Sequence, residues 1–209
     1  MSLPVAIPQI PAVLDLAGTA VFALTGALLA ARLRQTFVTM SFFALVTGVG
    51  GGSVRDLLIG APVFWVRDPW VAPVCLGVAL AAWFTPRKWW EGKLLEWADA
   101  AGLAAYTVLG TAKALAFGLP LVPAMLMGVI TGCVGGIIRD VLAGRPSILM
   151  RPEIYVTAAA LSAGLCALGQ TLGLPRELVW PLAALAGFTL RGMAIAKGLS
   201  LPAYTKADD

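Results

Sequence analysis

The sequence predicts an all-α integral membrane protein with seven transmembrane helices, built as an inverted repeat of three plus three helices with a seventh added. Three observations predict it. Hydrophobic residues make up 59% of the chain and charged residues only 12%, with a mean hydropathy of +0.87, far too apolar for a soluble domain of this length. Apolar stretches of about 20 residues, enough to span a bilayer, follow one another from Pro11 to Lys197. The chain also matches itself at one ungapped offset of 84 positions. There is no room for a separate aqueous domain, so residues 1–209 form a single transmembrane domain.

The segment Met1–Pro11 lacks the basic start of a secretory signal, and the run after it carries Asp15, so Pro11–Ala31 reads as a retained first span closed by Arg32 and Arg34. The second span covers Phe37–Gly60 and ends before Pro62. A polar turn with Arg67, Asp68 and Pro69 leads to the third, Trp70–Phe84. The loop Pro86–Lys93 mixes basic residues with Trp89 and Trp90, a composition suited to lying against lipid headgroups. The fourth span covers Trp97–Phe117, the fifth Leu121–Ala143, the sixth Ile154–Leu174 and the seventh Leu178–Lys197. The polar tail Pro202–Asp209 reads as mobile.

The basic residues follow the odd spans: Arg32 and Arg34, then Arg87, Lys88 and Lys93, then Arg145 and Arg151, then Lys197 and Lys206. The positive-inside bias then puts the amino terminus outside and the carboxyl terminus in the cytoplasm of a prokaryotic inner membrane. A net charge of +4 dispersed over short loops forms no basic stripe for nucleic acid. Cys75, Cys133 and Cys166 lie in apolar segments and histidine is absent, so neither a resident metal nor a cofactor is expected, and acid-base enzymology is disfavoured.

The offset aligns Asp15 with Asp99, Gly18 with Gly102, Gly51-Gly52 with Gly135-Gly136, Arg55-Asp56 with Arg139-Asp140, Gly60 with Gly144 and Pro62 with Pro146. Each copy holds three spans, an odd number, so the second crosses the membrane in the opposite sense. Inverted repeats commonly place the functional path near the midplane, at the repeat interface. Repeat one covers about 11–86, repeat two about 95–174, and the seventh helix, about 178–197, has no counterpart.

A helical rise of 1.5 Å per residue puts Asp15 and Arg55 at one depth, about 10 Å from the centre, and Asp99 and Arg139 at the mirrored depth. Both pairs are therefore expected. Neighbouring residues on a helix diverge by about 100°, which predicts that Asp56 finds a partner other than Arg55. Lys113 lies near the depth of Asp56 and either snorkels or faces the path; Arg191 either snorkels or pairs with Asp140.

Glycines 50, 51 and 52 lower helix stability by about 1 kcal/mol each relative to alanine, and a charge at bilayer depth is costly unless paired. Gly48 with Gly52, and Gly132 with Gly136, also satisfy the GxxxG spacing whose plain role is close helix packing. Packing alone leaves the two Arg-Asp pairs unexplained. The functional reading is that the glycines break or kink the second and fifth helices beside a water-filled path, with the charges setting its potential.

The stretches VGGGSVRDLLIGAPVFW and TGCVGGIIRDVLAGRPSIL resemble the duplicated motif of the prokaryotic trimeric intracellular cation (TRIC) channels, and the resemblance covers nearly the whole chain. It implies a homotrimer in membrane lipid, with a pore for potassium or other monovalent cations inside each protomer and potassium bound only in transit. It implies pore and gating roles for Gly50, Gly51, Gly52, Arg55 and Asp56 and for Gly135, Gly136, Arg139 and Asp140, with Asp15, Asp99, Lys113 and Arg191 as supporting charges. Val134 stands where the first copy has Gly50, which predicts a smaller kink in the second. The alternative is an alternating-access carrier for a small solute, since similar bacterial sequences carry the label glycine transporter.

Overall fold

The computed structural model describes residues 12–86, 88 and 92–202. The expectations for the amino-terminal segment and the tail lie almost wholly outside these residues, as does half of the tryptophan loop, both tryptophans included. Among the described residues the chain forms α1 (Ala12–Arg32), α2 (Phe37–Leu58), α3 (Phe64–Arg67), α4 (Val71–Phe84), α5 (Leu94–Ala116), α6 (Leu121–Leu142), α7 (Val156–Thr171) and α8 (Arg176–Lys197), with a short 3-10 helix at Ile148–Met150. The seven longer helices coincide with the seven expected spans. The one-turn α3 occupies what the sequence reads as a loop.

Four helices, α1, α2, α6 and α8, are long and apolar enough to cross a membrane. α5 matches them in length but carries Glu96, Asp99 and Lys113. It can do so because it packs against α1, α6, α7 and α8 and turns most of its polar side chains inward. The protein is a multi-pass membrane protein with polarity reversed from a soluble one: Arg55, Asp56, Asp99, Arg139, Asp140 and Arg191 are buried, whereas Leu57, Leu80, Phe84, Val122, Leu126, Leu168, Leu172 and Leu182 are exposed.

Local sequence explains the helix ends. Thr36 caps α2 by accepting a hydrogen bond from the Thr39 amide. α2 and α6 both stop at a left-handed glycine, Gly60 (φ 68°) and Gly144 (φ 63°), a conformation that costs residues with a Cβ. The turns match in detail, with Ala61 N donating to Asp56 O and Arg145 N to Asp140 O.

One apolar cluster joins α1, α2 and α4 through Ala23, Ala27, Met40, Phe43, Ala44 and Cys75. Another joins α5, α6 and α7 through Leu103, Cys133, Tyr155 and Ala158. The helices α2 and α6 connect the two halves and run antiparallel: a Cβ added at Gly51 would strike the Thr131 carbonyl, and one at Gly135 would lie 2.6 Å from the Thr47 carbonyl. These two contacts are each other's image at the 84-residue offset, so the crossing lies on the pseudo-two-fold axis that relates the repeats.

Both helices are continuous through their glycines, which corrects the expected break. Packed against each other, the two helices keep their internal hydrogen bonds at the glycines, and the missing side chains let the backbones approach closely.

Candidate functional site

Two buried charge clusters lie on opposite sides of the α2/α6 crossing, because each Arg-Asp pair follows its crossing glycine by about one turn on antiparallel helices. In the first, Arg55 Nε donates to Asp56 Oδ1 at 2.8 Å, and Lys113 Nζ pairs with the same oxygen at 2.8 Å. The other carboxylate oxygen accepts from the Phe64 amide at 3.0 Å. Asp56 thus caps α3, and the Phe64 ring lies against both Gly52 and the Arg55 guanidinium, whose carbon is 5.9 Å from the ring centre. Arg55 and Asp56 are fully buried.

The adjacent pair Arg55–Asp56 contradicts the expectation that residues 100° apart cannot meet. The long arginine side chain folds back along the helix far enough to overcome the divergence of the Cα–Cβ bonds. The expected Asp15–Arg55 pair is not formed. Asp15 Oδ1 and both terminal nitrogens of Arg55 are buried without a hydrogen-bond partner. Close to Asp15, the Tyr106 hydroxyl shares a 2.6 Å hydrogen bond with Thr19 and its ring lies over Gly18.

The second cluster repeats the scaffold and changes the charges. Arg139 Nε donates to Asp140 Oδ1 at 3.0 Å, and Asp140 Oδ2 accepts from the Ile148 amide at 3.2 Å, opening the 3-10 helix as Asp56 opens α3. Here the mirrored pair does form, with Arg139 Nη1 on Asp99 Oδ1 at 2.6 Å. Arg191 does not reach Asp140; it donates to Glu153 and stacks over the Tyr155 ring at 5.3 Å. Within 3.1 to 3.6 Å of the point where a Cβ on Gly136 would sit lie Tyr155 Oη, Asp99 Oδ1 and Arg139 Nη2.

Glu153, Tyr155 and the amides of Phe64 and Ile148 were not singled out from sequence. Phe64 and Ile148 carry a usable signal, since each lies eight residues after its aspartate and they differ by the repeat offset. Glu153 and Tyr155 align at the repeat offset with Pro69 and Val71, so neither the repeat nor any periodicity marks them.

The sequence pattern of the glycine transporter family matches residues 12–87 and again 96–171, two matches displaced by the same 84 positions. A membrane protein of Vibrio cholerae is 37% identical over 197 residues, covering 91% of this chain and 81% of its own. The inner membrane protein YadS of Escherichia coli is 40% identical over 200 residues, covering 91% and 94%. Among solved structures, the TRIC trimeric intracellular cation channel orthologue of Rhodobacter sphaeroides is 39% identical, with a TM-score of 0.83 over 90% of this chain and 98% of its own. The chain belongs to the prokaryotic TRIC family.

As a TRIC fold, the bundle makes chemical sense of its buried ions. Each aspartate serves both as the partner of a neighbouring arginine and as the cap of the segment that follows, so charge and backbone are held by one side chain. The glycines of α2 and α6 bring those ions to within about one helical turn of the crossing.

Proposed function

We propose that this chain is a potassium-permeable cation channel, with a pore inside each protomer of a homotrimer. The observation that carries the reading is the antiparallel crossing of α2 and α6, with a buried charge cluster on each side of it. The name of the 39% identical neighbour, a trimeric cation channel, supports it. In this reading the seven longer helices all cross the membrane, the amino terminus lies outside, and the path passes between α2 and α6 with α1 and α5 beside it. Bending at the glycines, where no side chain resists it, opens the path.

The same glycines, Gly50, Gly51 and Gly52 with Gly135 and Gly136, and the same ions, Arg55, Asp56, Arg139 and Asp140, carry permeation and gating. Purified protein in planar bilayers under symmetrical KCl is expected to give discrete single-channel steps. The description of the matched family favours a second reading, an alternating-access carrier for glycine or a similar solute. Saturable glycine uptake into proteoliposomes, with no current steps, would establish the carrier and exclude the channel.

A further inference from the structure

A groove of about 530 Å3 runs between α1, α5 and α8, and no residue of α2 or α6 lines it. Its volume falls within the range of about 300–1,000 Å3 typical of small-ligand sites. Two of its walls are images of each other at the repeat offset, Ala17 and Val21 on α1 and Ala101 and Ala105 on α5. Their small side chains leave the space. The third wall is α8, the helix without a repeat counterpart.

The apolar lining ends in polar groups. Four-residue spacing puts Arg176, Trp180 and Ala184 on one face of α8, and all three line the groove. At the start of the helix Arg176 and Glu177 are exposed and form a 3.0 Å ion pair with no net charge. One turn further in, about 6 Å, the Trp180 indole nitrogen is buried and finds no hydrogen-bond partner among the described residues. A buried indole N–H normally has an acceptor.

We infer that the groove holds one phospholipid with a zwitterionic, ammonium-bearing headgroup. Three depths carry three chemistries. At the mouth, the opposite charges of Arg176 and Glu177 complement a phosphate and an ammonium on one headgroup. One turn deeper, the Trp180 N–H donates to a glycerol-ester carbonyl, the acceptor that the protein does not supply. Deeper still, Val21, Ala101, Ala105 and Ala184 flank one acyl chain. A purely anionic headgroup would set like charge against Glu177. A helix from a second copy uses its carbonyls internally and offers the indole no acceptor. The site does not depend on whether the path conducts ions.

The test is native mass spectrometry of the purified full chain in detergent, after incubation with equimolar phosphatidylethanolamine and phosphatidylglycerol of the same acyl chains. One retained lipid per chain is expected in the wild type, with phosphatidylethanolamine favoured about tenfold. Glu177→Gln, at an exposed position, is expected to remove that preference. Trp180→Phe, which keeps an aromatic ring without the donor, is expected to lower retention of both lipids about tenfold. No retained lipid in the wild type overturns the inference and leaves the groove to residues 1–11 or to a second copy. Equal retention of both lipids by the wild type overturns it as well, as does an unchanged preference in Glu177→Gln. A lipid retained as expected by a protein that gives no current steps would remove the channel reading and leave this site standing.

Discussion

The first and second repeats build the same scaffold and neutralise it differently. In both, an aspartate takes the Nε of the preceding arginine and the amide eight residues on, and a left-handed glycine turns the chain between them. Beyond that core they part: Asp56 is closed by Lys113 from α5, while Asp99 closes on Arg139 and leaves Asp140 with one donor fewer. The backbone-holding contacts are shared and the charge-balancing ones are not. A duplicated element can thus keep its fold while its halves take different electrostatic duties.

The largest expected break in this comparison comes from the capping aspartates. Asp56→Ala strands two cations and the Phe64 amide and is expected to destabilise by about 3–5 kcal/mol. Asp140→Ala leaves Arg139 on Asp99 and is expected to cost about half as much. Thermal midpoints by fluorescence-detected size exclusion read the difference; equal losses would mean that the asymmetry carries no energetic weight.

The supporting aspartates give the next effect. Asp99→Asn removes the carboxylate charge from a 2.6 Å pair and is expected to cost about 2–3 kcal/mol. Asp15→Asn touches no ion pair and is expected to cost under about 1 kcal/mol. A similarly small effect on stability comes from Lys113→Met, about 1 kcal/mol, because the lysine side chain is 16% exposed and its pair is partly screened. Its signature is electrical: with a positive charge removed beside the path, unitary potassium conductance rises in single-channel recordings.

Much of this was legible in the chain. Apolar runs marked where the seven longer helices lie, four of them long enough to cross a membrane, and the 84-residue offset located both clusters. The rest depended on matters a helical wheel omits. Depth arithmetic treats arginine as a fixed vector, so it missed that Arg55 folds back to Asp56. The tie of Lys113 to Asp56 depends on how α5 is rotated against α2, which hydropathy does not encode. Glycine's low helix propensity in water suggested a break at Gly50 to Gly52, whereas in the bundle the neighbouring backbone replaces solvent and the helix continues.

The central claim is that ions pass between α2 and α6 within one protomer. Its most direct test uses a chain whose native cysteines are replaced by alanine, with Gly50→Cys on α2 or, as a control, Leu80→Cys on the outer face of α4. A small cationic thiol reagent applied during single-channel recording is expected to block the Gly50→Cys channel, with recovery on adding reductant, and to leave the Leu80→Cys channel unchanged. Unaltered currents in the Gly50→Cys channel, with labelling of that cysteine shown by mass spectrometry, would contradict the account.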